Sequence, residues 1–161
     1  MIYCLDANIF IEAKNLYYHF NICPGFWECL DQQNGTIGSV LPVYDELTAG
    51  NDELKDWVID RKGSGFFDDI SEVAVQEAFR KIAIHVTEQY EPQHAEKFLD
   101  GADPWLVAYA QVHGCTVVTK EKFSPGAKRV KIPNICEEFG VDYTDCFTML
   151  KGLGACFILD S

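Results

Sequence analysis

Ile2-Tyr3-Cys4-Leu5 is an apolar run that stops at an aspartate, and Cys115-Thr116-Val117-Val118 is a second that stops at Thr119. Runs this short suit buried strands better than helices, and the β-branched residues and Gly114 beside the second run point the same way. Between them the apolar residues change period. Ile9, Phe10, Ala13, Leu16 and Tyr17 recur at helical spacing, and the Pro24-Gly25 pair is expected to end that region. Val40, Val43, Tyr44 and Leu47 fall at i, i+3, i+4 and i+7 and predict a second helix closed near Gly50. A short helical patch at Leu54, Trp57 and Val58 precedes the loop Lys62-Gly63-Ser64-Gly65 and a brief Phe66-Phe67 strand. Val75, Phe79, Ile82, Ala83, Val86 and Tyr90 mark the longest helix, ending before Pro92. Asp103-Pro104 opens another, carrying Leu106, Tyr109, Ala110 and His113 to Gly114. Val130-Lys131-Ile132 predicts a last short strand cut by Pro133, with a helical stretch around 135–139 behind it.

Short buried strands alternating with helices imply an α/β fold, with a mostly parallel central sheet of four to five short strands flanked by helices. With 161 residues and no internal repeat, the chain is expected to be a single domain over 1–161. No apolar run approaches the roughly 18 residues of a bilayer span, and no basic segment precedes a greasy one. A soluble, cytoplasmic protein is the expectation.

Seven cysteines without a CxxC pair argue against a disulfide framework and a zinc ribbon, and His19, His85, His94 and His113 are scattered. Charge is the awkward feature. Thirteen basic against 25 acidic residues leave −12, which repels nucleic acid unless the charge is locally arranged or a metal intervenes.

Open α/β sheets build their sites at the carboxyl ends of strands. Asp6 stands at one such end, Thr119 and Glu121 at another, and Asp103 opens the helix leading into that second strand. Each acid also has a plainer reading. Asp103 before Pro104 suits a helix cap, Asp6 suits the same role for the helix from Ala7, and Glu121 in Lys120-Glu121-Lys122 suits a solvated charge. Glu46 and Asp45 are separated by geometry: at about 100° per residue Glu46 lies about 110° from the apolar stripe, while Asp45 lies roughly opposite it. The flank overlooks a crevice beside the core, so Glu46 is the candidate.

In order, the chain reads Leu5-Asp6-Ala7-Asn8, then Tyr44-Asp45-Glu46-Leu47, then Asp103-Pro104-Trp105-Leu106-Val107-Ala108, then Val118-Thr119-Lys120-Glu121. That order and spacing resemble the PIN domain, the small nuclease fold of VapC-type toxins, over residues 2–141. The chain is most similar to a PIN-like group sharing a KIPNICEEFGV-type segment, here 131–141. The resemblance implies a three-layer PIN-like fold and a metal-dependent endoribonuclease, the toxin of a toxin–antitoxin pair. Asp6, Glu46 and Asp103 match the family's three core acids, Asn8 the polar residue after the first, and Thr119 the hydroxyl after the central strand. Asp6 and Asp103 would then be direct ligands of Mg²⁺ or Mn²⁺, and Glu46 a ligand or a water-orienting base. Asn8 and Thr119 would orient the ligands or contact phosphate. The family's fourth acid is usually Asp; here it is Glu121, one methylene longer, which points to ligation through water or to a second ion.

Hard divalent cations take oxygen ligands, and converging carboxylates are costly without one, so such a cluster is informative. Lys120, Lys122, Lys128, Arg129 and Lys131 supply five of the 13 basic residues beside Glu121 alone. Lys120, Lys122, Lys128 and Arg129 are the candidate RNA-backbone contacts, with Phe123 available to stack a base; a solvated loop is the plainer reading. Implied partners are an RNA substrate and an antitoxin protein, with a homodimer as a further option and no membrane. Trp27, Trp57 and Trp105, with 11 Phe and 7 Tyr, are enough apolar surface for such contacts wherever the fold leaves them exposed. Two other readings stand beside this one. A catalytically silent PIN-like protein would bind a partner. A receiver-like phosphoacceptor domain would need Asp68 or Asp69 at the end of a middle strand. A dinucleotide enzyme lacks GxGxxG after the first strand.

Overall fold

Residues Tyr3–Leu5 form strand β1, and the Ile2 and Tyr3 amides both bond the Thr36 carbonyl, which brings the next strand alongside. The computed structural model describes residues 1–159; Asp160 and Ser161, the end of the expected domain, lie outside the described residues. Strand β2 is Ile37–Val40, β3 Phe67–Asp68, β4 Thr116–Val118 and β5 Tyr143–Thr144. Every pairing is parallel, and the spatial order is β3-β2-β1-β4-β5. Among the described residues the expected mostly parallel sheet is therefore wholly parallel, with five strands.

The helices are α1 Ala7–Glu12, α2 Pro24–Gln32, α3 Leu41–Thr48, α4 Glu53–Ile59, α5 Val73–Gln89, α6 Pro92–Asp100, α7 Asp103–His113, α8 Ile132–Phe139 and α9 Cys146–Gly152. They flank the sheet in a three-layer α/β arrangement, with α7 against β1, β2 and β4 and α5 packed on α7. Gly114 ends α7 with φ 68°, a left-handed turn that costs glycine little. Beyond α1 the backbone widens into a π-helical turn, Ala13–Tyr17, closed by the Tyr18 amide on the Ala13 carbonyl at 2.7 Å.

Several expectations are corrected. Pro24 does not end a helical region but opens α2, a first-turn position where its missing N–H costs nothing. Val40 belongs to β2, not to the helix after it; β2 reads weakly because Gly38 and Ser39 interrupt its apolar run. Val130-Lys131-Ile132 is no strand. The open edge of β4 is taken by Tyr143–Thr144 instead, and Ile132 starts α8 with Pro133 in its first turn. The 92–100 helix had no predicted counterpart.

Behind the strands, Phe10 of α1 is fully buried and meets Trp57 at 6.1 Å and both Phe66 and Phe67 at 6.2 Å between ring centres. Trp27 and Trp57 pack on each other in this core, and Trp105 is half-buried in a stack on Phe79. The first two tryptophans therefore offer no docking surface. No helix among the described residues is long and apolar enough to cross a membrane.

Candidate functional site

With strand order 3-2-1-4-5, the chain leaves β1 in one direction towards β2 and β3, and returns on its other side as β4. Open α/β sheets place their sites at the carboxyl ends of such a reversal, here between β1 and β4. Asp6 and Thr119 follow those two strands directly. Both are buried, and the Thr119 hydroxyl donates to Asp6 Oδ2 at 3.1 Å while its oxygen accepts the Glu121 amide at 3.2 Å. Asp6 occupies the N-cap position of α1 without a well-formed capping bond, although the Asn8 amide helps to hold its charge. A cap alone does not account for this buried acid.

Asp103 is the first residue of α7, behind the cap position at Ala102, and it too makes no capping bond. It is half-buried. Glu46 reaches in from α3, and its Oε1 accepts the Ala102 amide at 2.8 Å, one residue before Asp103. Gly101 leaves room for that approach, since a Cβ there would stand 3.3 Å from the same oxygen. Asp45 and Glu46 are both exposed, and what separates them is that Glu46 alone bonds the residue that caps α7. Glu121 accepts the Ile132 amide at 3.3 Å on Oε2, with Arg129 Nη2 3.8 Å from the same oxygen.

Burial and like charge both act on two of the four acids. The Asp103 carboxyl is pushed up to about 8, first by burial and then by the charges of Asp6, Glu121 and Glu46, with Arg129 a minor relief. Asp6 is pushed up to about 6 by burial, against the pull of the Thr119 hydroxyl, with Glu121 and Glu46 adding repulsion. Asn8 is half-buried on the first turn of α1.

The donor set is all hard oxygen, which fits Mg²⁺ or Mn²⁺ rather than a thiolate-seeking metal. Among the described residues, however, no three His, Cys, Asp or Glu side chains already stand as a metal cage. Two of the four acids explain that looseness: Glu46 and Glu121 each have an oxygen engaged by a backbone amide.

The basic strip divides. Lys120 bonds Glu12 at 2.7 Å and Arg129 leans on Glu121, whereas Lys122 and Lys128 are exposed and make no ion pair among the described residues. Phe123 is 43% exposed. Sequence reasoning missed Ser39, whose buried hydroxyl donates to the Leu5 carbonyl at 2.6 Å and ties β2 to the residue before Asp6. Its only signal was a small polar residue inside an apolar run. Asp68, the acid a receiver-like reading would use, sits on edge strand β3 and accepts the Tyr109 hydroxyl.

The raised acids make a stability prediction. A carboxyl whose folded pKa lies above its unfolded value of 3.8 stabilises the fold below that value, and the benefit is lost as pH rises through the folded pKa. The metal-free protein is therefore expected to lose stability between pH 4 and 8. Asp103→Asn removes part of the repulsion and should raise stability at pH 8 by about 1–3 kcal/mol, discounted for partial exposure, roughly 3–10 °C in Tm. Urea unfolding at pH 5 and pH 8 checks it. An equal or lower stability of the variant at pH 8 would contradict the repulsion.

A family model described as a domain of unknown function, DUF4411, matches residues 3–157. The chain belongs to this family. The DUF4411 match takes in all five strands together with Asp6, Glu46, Asp103, Thr119 and Glu121. A search of the curated proteins finds no match.

Proposed function

We propose that this DUF4411 chain is a metal-dependent endoribonuclease of the PIN type, cytoplasmic, and the toxin of a toxin–antitoxin pair. The observation that carries the reading is the repulsive gathering of Asp103 with Asp6, Glu46 and Glu121 at the carboxyl ends of β1 and β4. Such a cluster weakens the fold at neutral pH, and a bound cation is the ordinary reason to keep it.

In this reading Asp6 and Asp103 would hold Mg²⁺ or Mn²⁺, with Glu46 and Glu121 contributing through the oxygens their backbone bonds leave over. When bound, the cation would supply neutralisation of phosphate charge and a lowered water pKa. Thr119 fixes the rotation of the Asp6 carboxylate, and the Ala102 amide fixes Glu46, which orients the attacking water. Water adds to phosphorus, the P–O3′ bond breaks, and the proton ends on the 3′ oxygen, leaving a 5′-phosphate and a 3′-hydroxyl. Lys122 and Lys128 hold the RNA backbone, and Lys120 joins them by exchanging its surface partner Glu12, a change worth about 1 kcal/mol or less, while Arg129 reaches the RNA only by leaving the mostly covered Glu121. An antitoxin would cover the same crevice.

The alternative is a catalytically silent protein of the same fold. One observation favours it: Glu121 is engaged by Ile132 and Arg129 rather than turned wholly to the crevice. Incubation with a mixed RNA pool, in Mn²⁺ and in chelator, followed by sequencing of new 5′ ends, separates the two. The nuclease reading expects new ends in Mn²⁺ that vanish in chelator, and millimolar Mn²⁺ should raise the Tm by several degrees through mass action. Identical RNA profiles with and without Mn²⁺ would leave only the silent protein.

A further inference from the structure

Beside the acid crevice lies a shallow hollow with no part in the chemistry above. Ile9 and Ala13 lie buried at its base, Tyr17 and Phe147 flank it, and Lys120 shares its rim with two carboxylates, Glu12 and Asp145. The two flanking rings meet edge to face, 5.5 Å apart at 83°. Unlike the aromatic core, both are open to solvent: Tyr17 is 56% exposed and Phe147 55%.

Tyr17 owes its place to the π-helical turn at Ala13–Tyr17, which follows α1 directly and interrupts its regular winding. Such widened turns are uncommon and recur at functional sites. Phe147 comes from the opposite direction, in the first turn of α9. Two distant segments thus set two exposed rings around one apolar floor.

Lys120 joins this hollow to the crevice. It follows Thr119, so one residue, about 3.8 Å of chain, separates the hollow's lip from the hydroxyl that bonds Asp6. Its ammonium feels Glu12 first, and Asp6 and Glu121 beyond. The Lys120–Glu12 contact is an exposed pair, readily exchanged for a phosphate oxygen.

We propose that the Tyr17–Phe147 hollow is a nucleobase subsite: it stacks one unpaired base of single-stranded RNA while Lys120 takes the adjoining phosphate. The inference rests on the ribonuclease reading and adds to it the position of the neighbouring base. An open aromatic ring with a cation at its edge suits stacking without sequence readout, because every base has a π-face. Cleavage should therefore prefer unpaired RNA.

The test uses the full chain in Mn²⁺ and a set of single-stranded oligoribonucleotides of one sequence, each with one abasic position. For the wild type, one abasic position should lower kcat/KM about tenfold, chiefly through KM. Tyr17→Ala and Phe147→Ala should lose a similar factor on intact RNA and nothing further at that position, the signature of a shared contact. Leu16→Ala, exposed on the same turn but outside the hollow, should change neither value. Unchanged thermal unfolding of the variants establishes that they fold. Wild-type cleavage of intact RNA by Tyr17→Ala and Phe147→Ala, or an abasic penalty that persists in them, overturns the subsite and leaves the hollow to a protein partner. A wild type that cleaves none of the oligonucleotides overturns the ribonuclease reading and the subsite together.

Discussion

Asp6→Asn is expected to lower Mn²⁺-dependent RNA cleavage by at least about a thousandfold, close to 4 kcal/mol of transition-state stabilisation. The substitution keeps the size of the side chain and leaves an oxygen able to accept the Thr119 hydroxyl. What it removes is one charge from the most deeply buried acid of the crevice. The same change should leave the metal-free protein as stable at pH 8 or more so, because the Asp6 charge there opposes burial and repels Glu121 and Glu46. The rise of Tm in millimolar Mn²⁺ should shrink or vanish. Lost cleavage with retained stability separates a ligand from a structural residue. Cleavage within a few-fold of wild type would sink the assignment, and equal activity in chelator would point to a contaminant.

Phe10→Ala is expected to cost about 3–5 kcal/mol of folding free energy. Its ring has no solvent contact and touches Trp57 of α4, Phe66 and Phe67, so no neighbour closes the space without moving another. Ala7, Ile9 and Phe10 are also the buried face of α1, the helix that Asp6 begins. Against a total of about 5–15 kcal/mol for a domain of this kind, the loss removes a large share of the stability and roughly 10 °C or more of Tm. Phe10→Leu should cost much less, since it refills most of the volume. Urea unfolding of the three proteins at one pH measures it; a cost below about 1 kcal/mol for Phe10→Ala would mean that the aromatic cluster relaxes around the gap.

These two residues lie four apart and illustrate different kinds of legibility. Phe10 was readable as core because helical spacing with Ile9 and Ala13 is a local property. Asp6 was readable as a candidate because a strand ended at it, but the plainer cap reading survived until Thr119 was seen to hold its carboxylate from another strand. Glu46 was placed on the correct flank by angle alone. That its oxygen would rest on the Ala102 amide, 56 residues away, had no sequence signal. Tyr17 and Phe147 were unremarkable in the chain and become a pair only when the π-helical turn after α1 meets α9.

The sequence by itself determined the α/β class, the ends of β1 and β4, the stop of α7 at Gly114 and the residues from which a crevice could be made. Each follows from short-range physics: backbone preference, side-chain period and the conformations open to glycine and proline. Only the tertiary structure decided that all strands run parallel in the order 3-2-1-4-5, and that Tyr143–Thr144 rather than 130–132 pairs with β4. It also decided that Lys120 and Arg129 lean on acids of the same chain. Strand order and ion-pair choice depend on which distant segments compete for one edge or one charge. Residues far apart along the chain settle that competition, and no local pattern records its outcome.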